Sequence, residues 1–320
     1  MKQLLILSGK GGTGKTTMAS AFIRLSQAKT YADCDVDAPN LHLIREKVIR
    51  NTAEQTSVSV KKSDYYAMPK AVINGDLCVS CGKCQELCRF GAVEGGLKSG
   101  ETFCGSSRGK STVKAGVKTS EKFSINQFAC EGCGVCEEFC PANAISLEPV
   151  AAGELMLYEN DDEVFSTAKL KIGSGTSGKL VAGVKKQMLD HKKDCEVAII
   201  DGSPGIGCPV ISSLSGVDMV LIVAEPSMSG ISDMTRILKT AGVFGVKAGV
   251  CVNKFNTNEG RTGEIEDFCK NHKITFVGKV PFDGEAVKAI NSGKSVVDID
   301  CISGNAIKKS LRKYNEIIIL

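Results

Sequence analysis

Short apolar runs alternate with longer amphipathic or polar segments over most of the chain. Uninterrupted apolar runs that end in an acidic or polar residue are typical of strands buried on both faces of a parallel sheet. Residues 4–7, 196–201, 218–224 and 249–252 have this pattern, and a helix-compatible segment, 18–27, lies near the first of them. Because parallel strands are joined by helical crossovers, the pattern predicts an α/β fold, mainly parallel, with helices on both faces of the sheet.

The pattern is weaker in three other regions of the chain. Residues 43–74 contain two candidate short strands, at 57–60 and 65–68, and a further strand is predicted at 170–173. The tail, 306–320, has apolar residues at roughly helical spacing and several basic residues. We expect a packed terminal helix there; the alternative is an amphipathic helix that seeks a membrane surface.

A glycine-rich loop lies between the first predicted strand and the first predicted helix. Gly9, four further residues and then Gly14, Lys15 and Thr16 form the strand–loop–helix motif that binds nucleotide phosphates. Backbone N–H groups would face the phosphates, Lys15 would neutralise the β and γ phosphates, and the Thr16 hydroxyl would ligate Mg²⁺. We therefore predict a nucleoside triphosphate and Mg²⁺ as cofactors; the resemblance described next implies that the nucleotide is ATP. The predicted nucleotide-binding residues of the loop are Gly9, Gly11, Gly12, Thr13, Gly14, Lys15, Thr16 and Thr17.

Lys10 directly follows the first glycine, which an ordinary phosphate loop does not require. The run Lys-Gly-Gly-Thr-Gly-Lys-Thr resembles the deviant Walker A motif of the MinD/ParA family of P-loop ATPases. The resemblance implies a doubly wound P-loop NTPase sheet and a dimer that closes on ATP, with Lys10 reaching the phosphates held by the second subunit. The dimer is expected to be a homodimer or a heterodimer with a paralogue.

Two acidic segments extend the resemblance. Asp33, Asp35 and Asp37 end a short predicted strand, and the family pattern implies that Asp35 positions or activates the attacking water while the other two are supporting charges. The alternative is a helix-capping or turn role for all three. Asp201, followed by 202–205, matches the Walker B and switch II element, which implies that Asp201 holds Mg²⁺ through water and that the following turn senses the γ phosphate. The predicted catalytic residues are Lys10, Lys15, Asp35 and Asp201.

The resemblance also implies where the adenine base lies. Asn253 follows the apolar run 249–252, where the family recognises the base through an asparagine. Pro281 and Phe282 occupy a position that also borders the base. For Asn253 the alternative is a helix-capping role.

The fifteen cysteines include two runs of four with the same spacing, C-x2-C-G-x-C-x3-C. Thiolates at this spacing hold [4Fe-4S] clusters, and in two-cluster ferredoxins the fourth cysteine of each run ligates the other cluster. We therefore predict two [4Fe-4S] clusters, with zinc as the competing metal because C-x2-C pairs also suit tetrahedral zinc sites. The ligands assigned to one cluster are Cys78, Cys81, Cys84 and Cys140, and those assigned to the other are Cys130, Cys133, Cys136 and Cys88.

Residues 75–148 resemble a bacterial two-cluster ferredoxin with two departures. Arg89 stands where proline normally follows the fourth cysteine. The stretch between the two runs, about 95–127, is long and basic, and we predict either a solvated mobile loop or a docking surface for an acidic electron-transfer partner.

Cys208 lies seven residues after Asp201, where the nitrogenase iron protein, a member of the same family, carries one ligand of a dimer-bridging cluster. We identify no counterpart of that protein's other ligand in the sequence. The sequence therefore leaves two interpretations of Cys208, a ligand of a bridging cluster or a small buried cysteine.

Composition and charge limit the class of partner and compartment. The net charge of +4 does not indicate a nucleic-acid partner, and no apolar run approaches the roughly 20 residues that cross a bilayer, so we expect no membrane partner. The first apolar run is too short for a secretory signal, which predicts a cytoplasmic protein. In a reducing compartment, fifteen cysteines indicate metal binding rather than disulfides.

Together these features predict a P-loop ATPase domain at 1–74 and 149–320, interrupted by an inserted α+β ferredoxin-like domain at 75–148. The main functional hypothesis is an Mg²⁺-dependent ATPase whose nucleotide-dependent dimerisation gates electron transfer through the clusters to a redox partner protein. One alternative is an ATPase that assembles or carries iron–sulfur clusters. The other is a MinD/ParA-like positioning ATPase in which the clusters are structural or sensing.

Overall fold

The computed structural model describes residues 1–43, 58–95 and 122–318. The chain divides into two compact units. The first unit contains Met1–Tyr65, Gly153–Ile172 and Thr176–Leu320, and the second contains Tyr66–Ala152 and Gly173–Gly175. The domain boundaries predicted from the sequence stay a prediction.

The strands and helices of both units are numbered in chain order. The strands are β1 Lys2–Ser8, β2 Thr30–Asp33, β3 Ser59–Tyr66, β4 Lys70–Ile73, β5 Val93–Glu94, β6 Ser124–Ile125, β7 Ile145–Glu148, β8 Ala151–Glu159, β9 Val164–Leu170, β10 Val197–Pro204, β11 Met219–Ala224, β12 Lys247–Asn253 and β13 Thr275–Val280. The helices are α1 Lys15–Ser26, α2 Lys83–Leu87, α3 Val135–Glu138, α4 Ser177–Asp190, α5 Cys208–Leu214, α6 Met228–Val243, α7 Glu259–Asn271, α8 Gly284–Asn291 and α9 Ile302–Ile318.

The first unit is organised by a nine-stranded sheet with the order β13-β12-β11-β1-β10-β2-β9-β8-β3. Every neighbouring pair from β13 to β9 is parallel, whereas β8 pairs with β9 in the antiparallel direction. The predicted α/β fold with a mostly parallel central sheet is therefore confirmed.

Helices cover both faces of this sheet because the side chains of each central strand alternate between two cores. Leu5 and Leu7 of β1 belong to a core that also contains buried residues of α4, α5, α6 and α7. Leu4 and Ile6 of the same strand belong to a second core with residues of α1 and α9. Burying a side chain of this size contributes about 1.5–3 kcal/mol, so both layers stabilise the position of β1 and of the loop that follows it.

The four predicted core strands are confirmed as β1, β10, β11 and β12. The two candidate short strands differ from the structure. Residues 59, 60, 65 and 66 belong to the single strand β3, whereas 58, 67 and 68 lie outside it and residue 57 lies outside the described residues. The strand predicted at 170–173 is wrong, because β9 ends at Leu170 and Gly173 has a φ of 79°, a left-handed conformation that does not continue a strand.

The second unit is small and repeats its own pattern. β4 pairs with β7 and β5 pairs with β6, both antiparallel, around a core of Ala71, Ala92, Cys130 and Ile145. Each short helix starts after a glycine with positive φ, 73° at Gly82 and 78° at Gly134. The repeat in the sequence is therefore also a repeat of local structure.

Candidate nucleotide site and cysteine cavities

The glycine-rich loop runs from the carboxyl end of β1 into α1. Gly12 and Gly14 have φ values of 78° and 92°, in the left-handed region that favours glycine. Asn253, at the end of β12, donates from Nδ2 to the carbonyl of Thr13 at 2.7 Å. A Cβ atom at Gly14 would lie 2.2 Å from the same Nδ2, so this approach requires glycine.

Lys15 is buried at the start of α1, with 6% of its surface exposed. Its Nζ lies 2.7 Å from Oδ1 of Asp201 and 3.7 Å from Oδ2 of Asp35. Burial alone would lower the pKa of Lys15, but the charge and hydrogen bond of Asp201, with the charges of Asp35 and Asp33, outweigh it and raise the pKa. Lys15 is therefore a buried cation held by two of the acids predicted to serve the same site.

Asp33 and Asp35 lie in one turn but differ in their surroundings. Asp33 accepts hydrogen bonds from the backbone N–H groups of Asp35, Asn40 and Leu41 at 3.0, 2.9 and 3.0 Å. Burial, reinforced by the charge of Asp201, raises the pKa of Asp33 to about 7, and burial also raises the pKa of Asp35. Asp33 thus shapes the turn, while Asp35 faces Lys15.

Asp201 has an oxygen that fits a metal ligand. Its carboxylate is fully buried, and Oδ2 has no hydrogen-bond partner among the described residues, although Oδ1 is bonded to Lys15. A buried carboxylate oxygen without a partner is costly, and Mg²⁺ prefers oxygen ligands. Thr16 lies half-buried in the first turn of α1, as does Thr17. The donor set that these residues offer therefore fits Mg²⁺ beside a phosphate chain.

The side chain of Lys10 packs against its own chain. Its Nζ lies 2.7 Å from Oε2 of Glu225 and within 3.3 and 3.4 Å of the hydroxyls of Ser227 and Ser229. The Lys10 side chain remains 39% exposed, and the hydrogen bond from Lys10 lowers the pKa of Glu225. A half-exposed pair of this kind exchanges partners readily.

The residues predicted for the base lie at the ends of neighbouring strands. Asn253 is bonded to the phosphate loop, as described above, and the backbone N–H of Phe282 donates to Oδ1 of Asn256 at 2.7 Å. Pro281 is half-buried and the side chain of Phe282 is exposed. Base recognition by Asn253, Pro281 and Phe282 stays a prediction.

Two residues near the phosphate loop were not predicted from the sequence. Lys254 donates from Nζ to the carbonyl of Gly12 at 2.9 Å, and it lies 3.8 Å from Glu225. Glu225 thus stands between two lysines at the mouth of the loop. Glu225 directly follows β11 and Lys254 directly follows β12. A polar residue at the carboxyl end of a parallel strand often belongs to a ligand site, and this position could have indicated both residues in the sequence.

The segment after Asp201 is tied to its neighbours by backbone contacts. The Ser203 hydroxyl donates to the carbonyl of Cys34 at 2.6 Å, and the N–H of Cys34 donates to the carbonyl of Asp201 at 2.7 Å. The N–H of Gly205 donates to the carbonyl of Ser8 at 2.9 Å, with a φ of 94° at Gly205. This segment therefore contacts both the phosphate loop and the acidic turn.

Two cavities in the second unit are lined by cysteines. Each brings together three cysteines of one run and the fourth cysteine of the other. The first is lined by Cys78, Cys81, Cys84 and Cys140. The second is lined by Cys88, Cys130, Cys133 and Cys136.

The fourth cysteine of each run has the same backbone neighbour. The N–H of Ala92 donates to Sγ of Cys88 at 3.4 Å, and the N–H of Ala144 donates to Sγ of Cys140 at 3.3 Å. Among the described residues, no three His, Cys, Asp or Glu side chains are arranged to hold a single metal ion.

Two other predictions concern positions away from these cavities. Cys208 is exposed at the first position of α5, so the interpretation as a buried cysteine is wrong. Its role as a bridging-cluster ligand stays a prediction. Most of the basic stretch, residues 96–121, lies outside the described residues, so its role also stays a prediction.

The chain matches a known nucleotide-binding domain over most of its length. Residues 4–296 match the CobQ/CobB/MinD/ParA nucleotide-binding domain, a range that includes the phosphate loop, the acidic turn and Asp201. The chain belongs to this family. Members of the MinD/ParA family are P-loop ATPases, so ATP binding and ATPase activity are established at the level of the family.

Two relatives from Methanocaldococcus jannaschii match nearly the whole chain. Uncharacterized protein MJ0578 of Methanocaldococcus jannaschii is 29% identical over 99% of this chain and 97% of its own length. Uncharacterized protein MJ0579 of the same organism is 26% identical over 92% of each chain. The septum site-determining protein MinD of Escherichia coli is 26% identical over 41% of this chain and 54% of its own length.

Solved structures agree on the fold. MinD of Pyrococcus horikoshii complexed with Mg-ADP has a TM-score of 0.54 at 15% identity, covering 99% of this chain and 97% of that one. The MinC:MinD cell division complex of Aquifex aeolicus has a TM-score of 0.52 at 15% identity, covering 99% and 96%. At this identity the likeness shows the P-loop NTPase fold alone.

These relatives fit one of the predicted alternatives, the MinD/ParA-like positioning ATPase, better than the electron-transfer hypothesis, which they do not support. They also give no support to the ferredoxin-like insert or its clusters, which rest on this chain's own cysteines. In the described part of the chain, no helix combines the length and apolar character needed to span a bilayer. The cytoplasmic location stays a prediction.

Proposed function

We propose that this chain is an Mg²⁺-dependent ATPase that carries two [4Fe-4S] clusters in a ferredoxin-like insert. In this proposal the nucleotide state gates electron transfer through the clusters to a redox partner protein. The observation that carries the proposal is the pair of cavities in the second unit, each lined by four cysteines drawn from both runs.

The cysteine cavities fit clusters in number and type of donor. Each offers four thiols, which is the ligand set of a [4Fe-4S] cluster. Every thiolate of such a cluster binds a different iron atom, so the four sulfurs surround the cluster instead of converging on one ion as they do around zinc. The N–H groups of Ala92 and Ala144 reach one sulfur in each cavity, and such hydrogen bonds are one of the means by which a protein sets cluster potentials.

In this proposal, residues of the nucleotide site change their partners when the nucleotide binds. Lys15 would move from Asp201 to the β and γ phosphates, which would free the Asp201 carboxylate to hold Mg²⁺ through water while Thr16 ligates the ion directly. Bound Mg²⁺ would supply neutralisation of phosphate charge. Asp35, 3.7 Å from Lys15, would then position the attacking water. The segment at Gly205, bonded to the phosphate loop, would respond to the γ phosphate.

The proposed dimer requires a change of partner at Lys10. In the present structure Lys10 is paired with Glu225, so reaching the phosphates of a second subunit would break this half-exposed pair, at a cost of about 0–1 kcal/mol. The second subunit is a copy of this chain or a paralogue. Two relatives of this length in one organism support testing the paralogue.

Iron content tests the cluster half of the proposal. Protein purified without oxygen is expected to contain about eight irons and eight acid-labile sulfides per chain, and Cys84→Ser is expected to lose about half of each. Cys195→Ser, which removes a half-buried cysteine of the first unit, is the matched control and is expected to retain all of it. Stoichiometric zinc in place of iron would refute the clusters.

Double variants test the division of ligands between the cavities. Cys78 and Cys140 line the same cavity. The double variant Cys78→Ser with Cys140→Ser is therefore expected to lose no more iron than either single variant. Cys136→Ser with Cys140→Ser combines residues of one run that line different cavities, and it is expected to lose nearly all iron. The opposite ranking would show that each run binds its own cluster.

Membership in the family favours a second candidate function, a positioning ATPase in which the clusters are structural or sensing. It is tested by pelleting the protein with DNA or with anionic vesicles, with and without ATP. ATP-dependent pelleting that Lys15→Ala abolishes would support positioning. Pelleting that does not depend on ATP would count against it.

A further inference from the structure

We infer that α4 carries the nucleotide state from the segment after Asp201 to the points where the chain leaves and rejoins the first unit, with Lys185 and Ser212 as positioning residues. This inference rests on the proposed function, and it names the element that would couple ATP to the clusters.

α4 is joined to α5, the helix that follows the segment at Gly205. The Ser212 hydroxyl of α5 donates to the carbonyl of Gly178, in the first turn of α4, at 2.7 Å. A Cβ atom at Gly178 would lie 3.2 Å from the backbone oxygen of Cys208, so the two helices begin in close approach. Movement of α5 along its axis would therefore displace the start of α4.

Lys185 fixes the other end of the same helix pair. It is 6% exposed, and its Nζ donates to the carbonyl of Ser213 at 2.7 Å and to the carbonyl of Ser215, at the end of α5. Burying an ammonium group is costly unless it is bonded, and a cation is favourable at the carboxyl end of a helix. The two helices should therefore move as one body, because separating them would leave Lys185 buried without acceptors.

The first turn of α4 contacts the chain crossings of the first unit. Tyr65, the last residue before the chain enters the second unit, bonds through its hydroxyl to Oγ1 of Thr176 at 3.0 Å. A Cβ atom at Gly153, the first residue after the return, would lie 3.3 Å from Leu180 of α4. Thr176 itself follows the segment Gly173–Gly175 of the second unit. One helical turn thus contacts each of these crossings.

Within the second unit, the segment Gly173–Gly175 reaches the second cysteine run. The ring of Phe128 lies so close to Gly173 that a Cβ atom there would be 2.6 Å from Cδ1. Phe128 precedes Cys130, a predicted cluster ligand, by two residues. A displacement of the first turn of α4 would therefore move the covalently attached segment Gly173–Gly175, and with it Phe128 beside the second cavity.

Hydrogen–deuterium exchange on the full chain, prepared without oxygen, tests the inference. A non-hydrolysable ATP analogue with Mg²⁺ is expected to change exchange in residues 173–178 and 126–132. Ser212→Ala and Lys185→Met are expected to lose this change while they retain their iron and bind the analogue. The matched controls, which should keep it, are Ser213→Ala, whose hydroxyl bonds within α5 to the carbonyl of Pro209, and Lys186→Met, an exposed neighbour.

The outcomes separate the inference from the proposed function. The inference is overturned if the analogue leaves exchange in residues 173–178 of the wild-type protein unchanged. It is also overturned if Ser212→Ala retains the change in exchange. If Lys185→Met fails to fold, the result for Ser212→Ala alone decides. If the cluster reduction potentials shift with nucleotide equally in the wild-type protein and in Ser212→Ala, the proposed function is supported and the role of α4 in it is refuted. Cluster potentials that never shift would instead overturn the function.

Discussion

Lys10 and Lys15 belong to the same loop, yet their surroundings assign them different physical roles. Lys15 is buried between Asp201 and Asp35, whereas Lys10 is half-exposed beside Glu225. The sequence predicted both lysines from one motif. It could not predict the partner of Lys10, because Glu225 is distant in sequence and meets the loop only when β1 and β11 are neighbours.

Removing each lysine should have a different effect on stability. Lys15→Met leaves buried carboxylates without their cation, so its free energy of unfolding in urea without nucleotide is expected to fall by about 3–5 kcal/mol. Lys10→Met breaks a half-exposed pair and is expected to cost about 0–1 kcal/mol. Equal losses in the two variants would show that Lys15 is not held by a buried ion pair.

Asp33 predicts a dependence of stability on pH. The folded chain holds the Asp33 proton up to about pH 7, whereas an unfolded chain loses it near 3.8. The folded state binds more protons between these values, so the Asp33 contribution to the free energy of unfolding falls as the pH rises through that window.

The test uses urea unfolding between pH 5 and 7.5, in EDTA and without nucleotide. Asp33→Asn should weaken the pH dependence, and Asp37→Asn, which changes an exposed carboxylate of the same turn, should not. A slope that is unchanged in Asp33→Asn would show that Asp33 is ionised throughout.

The site was more predictable by residue type than by contact. The phosphate loop and the cysteine runs were named from spacing, and Asp35 and Asp201 from the resemblance to the MinD/ParA family. Glu225 and Lys254 were missed because a single polar residue after a strand carries no motif of its own. The unpartnered oxygen of Asp201 and the hydrogen bond from Asn253 to Thr13 are tertiary facts that no spacing encodes.

At the scale of elements, the connection from β1 to α1 depends on Gly14. Gly14→Ala would place a Cβ atom against Asn253 and force a side chain into a left-handed conformation, so we expect a loss of about 1–3 kcal/mol of stability and of nucleotide binding. A Cβ atom at Gly11 would meet no atom within 4 Å, so Gly11→Ala is the matched control for stability alone, with an expected change within about 0.5 kcal/mol. Urea unfolding and binding of a fluorescent ATP analogue measure both quantities.

The elements themselves were predicted unevenly. β1, β10, β11 and β12 each contain an uninterrupted apolar run because both faces of a parallel sheet are buried there. β8 and β9 were missed because this antiparallel pair includes exposed and half-exposed residues such as Lys169 and Glu154, which weaken the apolar pattern. The strand predicted at 170–173 therefore overlaps β9 only at its last residue, Leu170.

At the scale of the whole molecule, one polypeptide joins a P-loop ATPase to a unit with two cysteine-lined cavities. The family accounts for the first, and the repeated cysteine spacing predicts the second. Neither the sequence nor the relatives specify the electron donor or acceptor, because recognition of such a partner depends on surface contacts instead of a motif.

The coupling of these two parts is the central claim, and cluster reduction potentials measure it most directly. They would be recorded by electron paramagnetic resonance on oxygen-free protein with no nucleotide, with ADP and with a non-hydrolysable ATP analogue. A shift of about 30 mV or more between nucleotide states, about 0.7 kcal/mol for one electron, is the predicted result. Potentials that are the same in all three states would contradict direct coupling and favour structural or sensing clusters in a positioning ATPase.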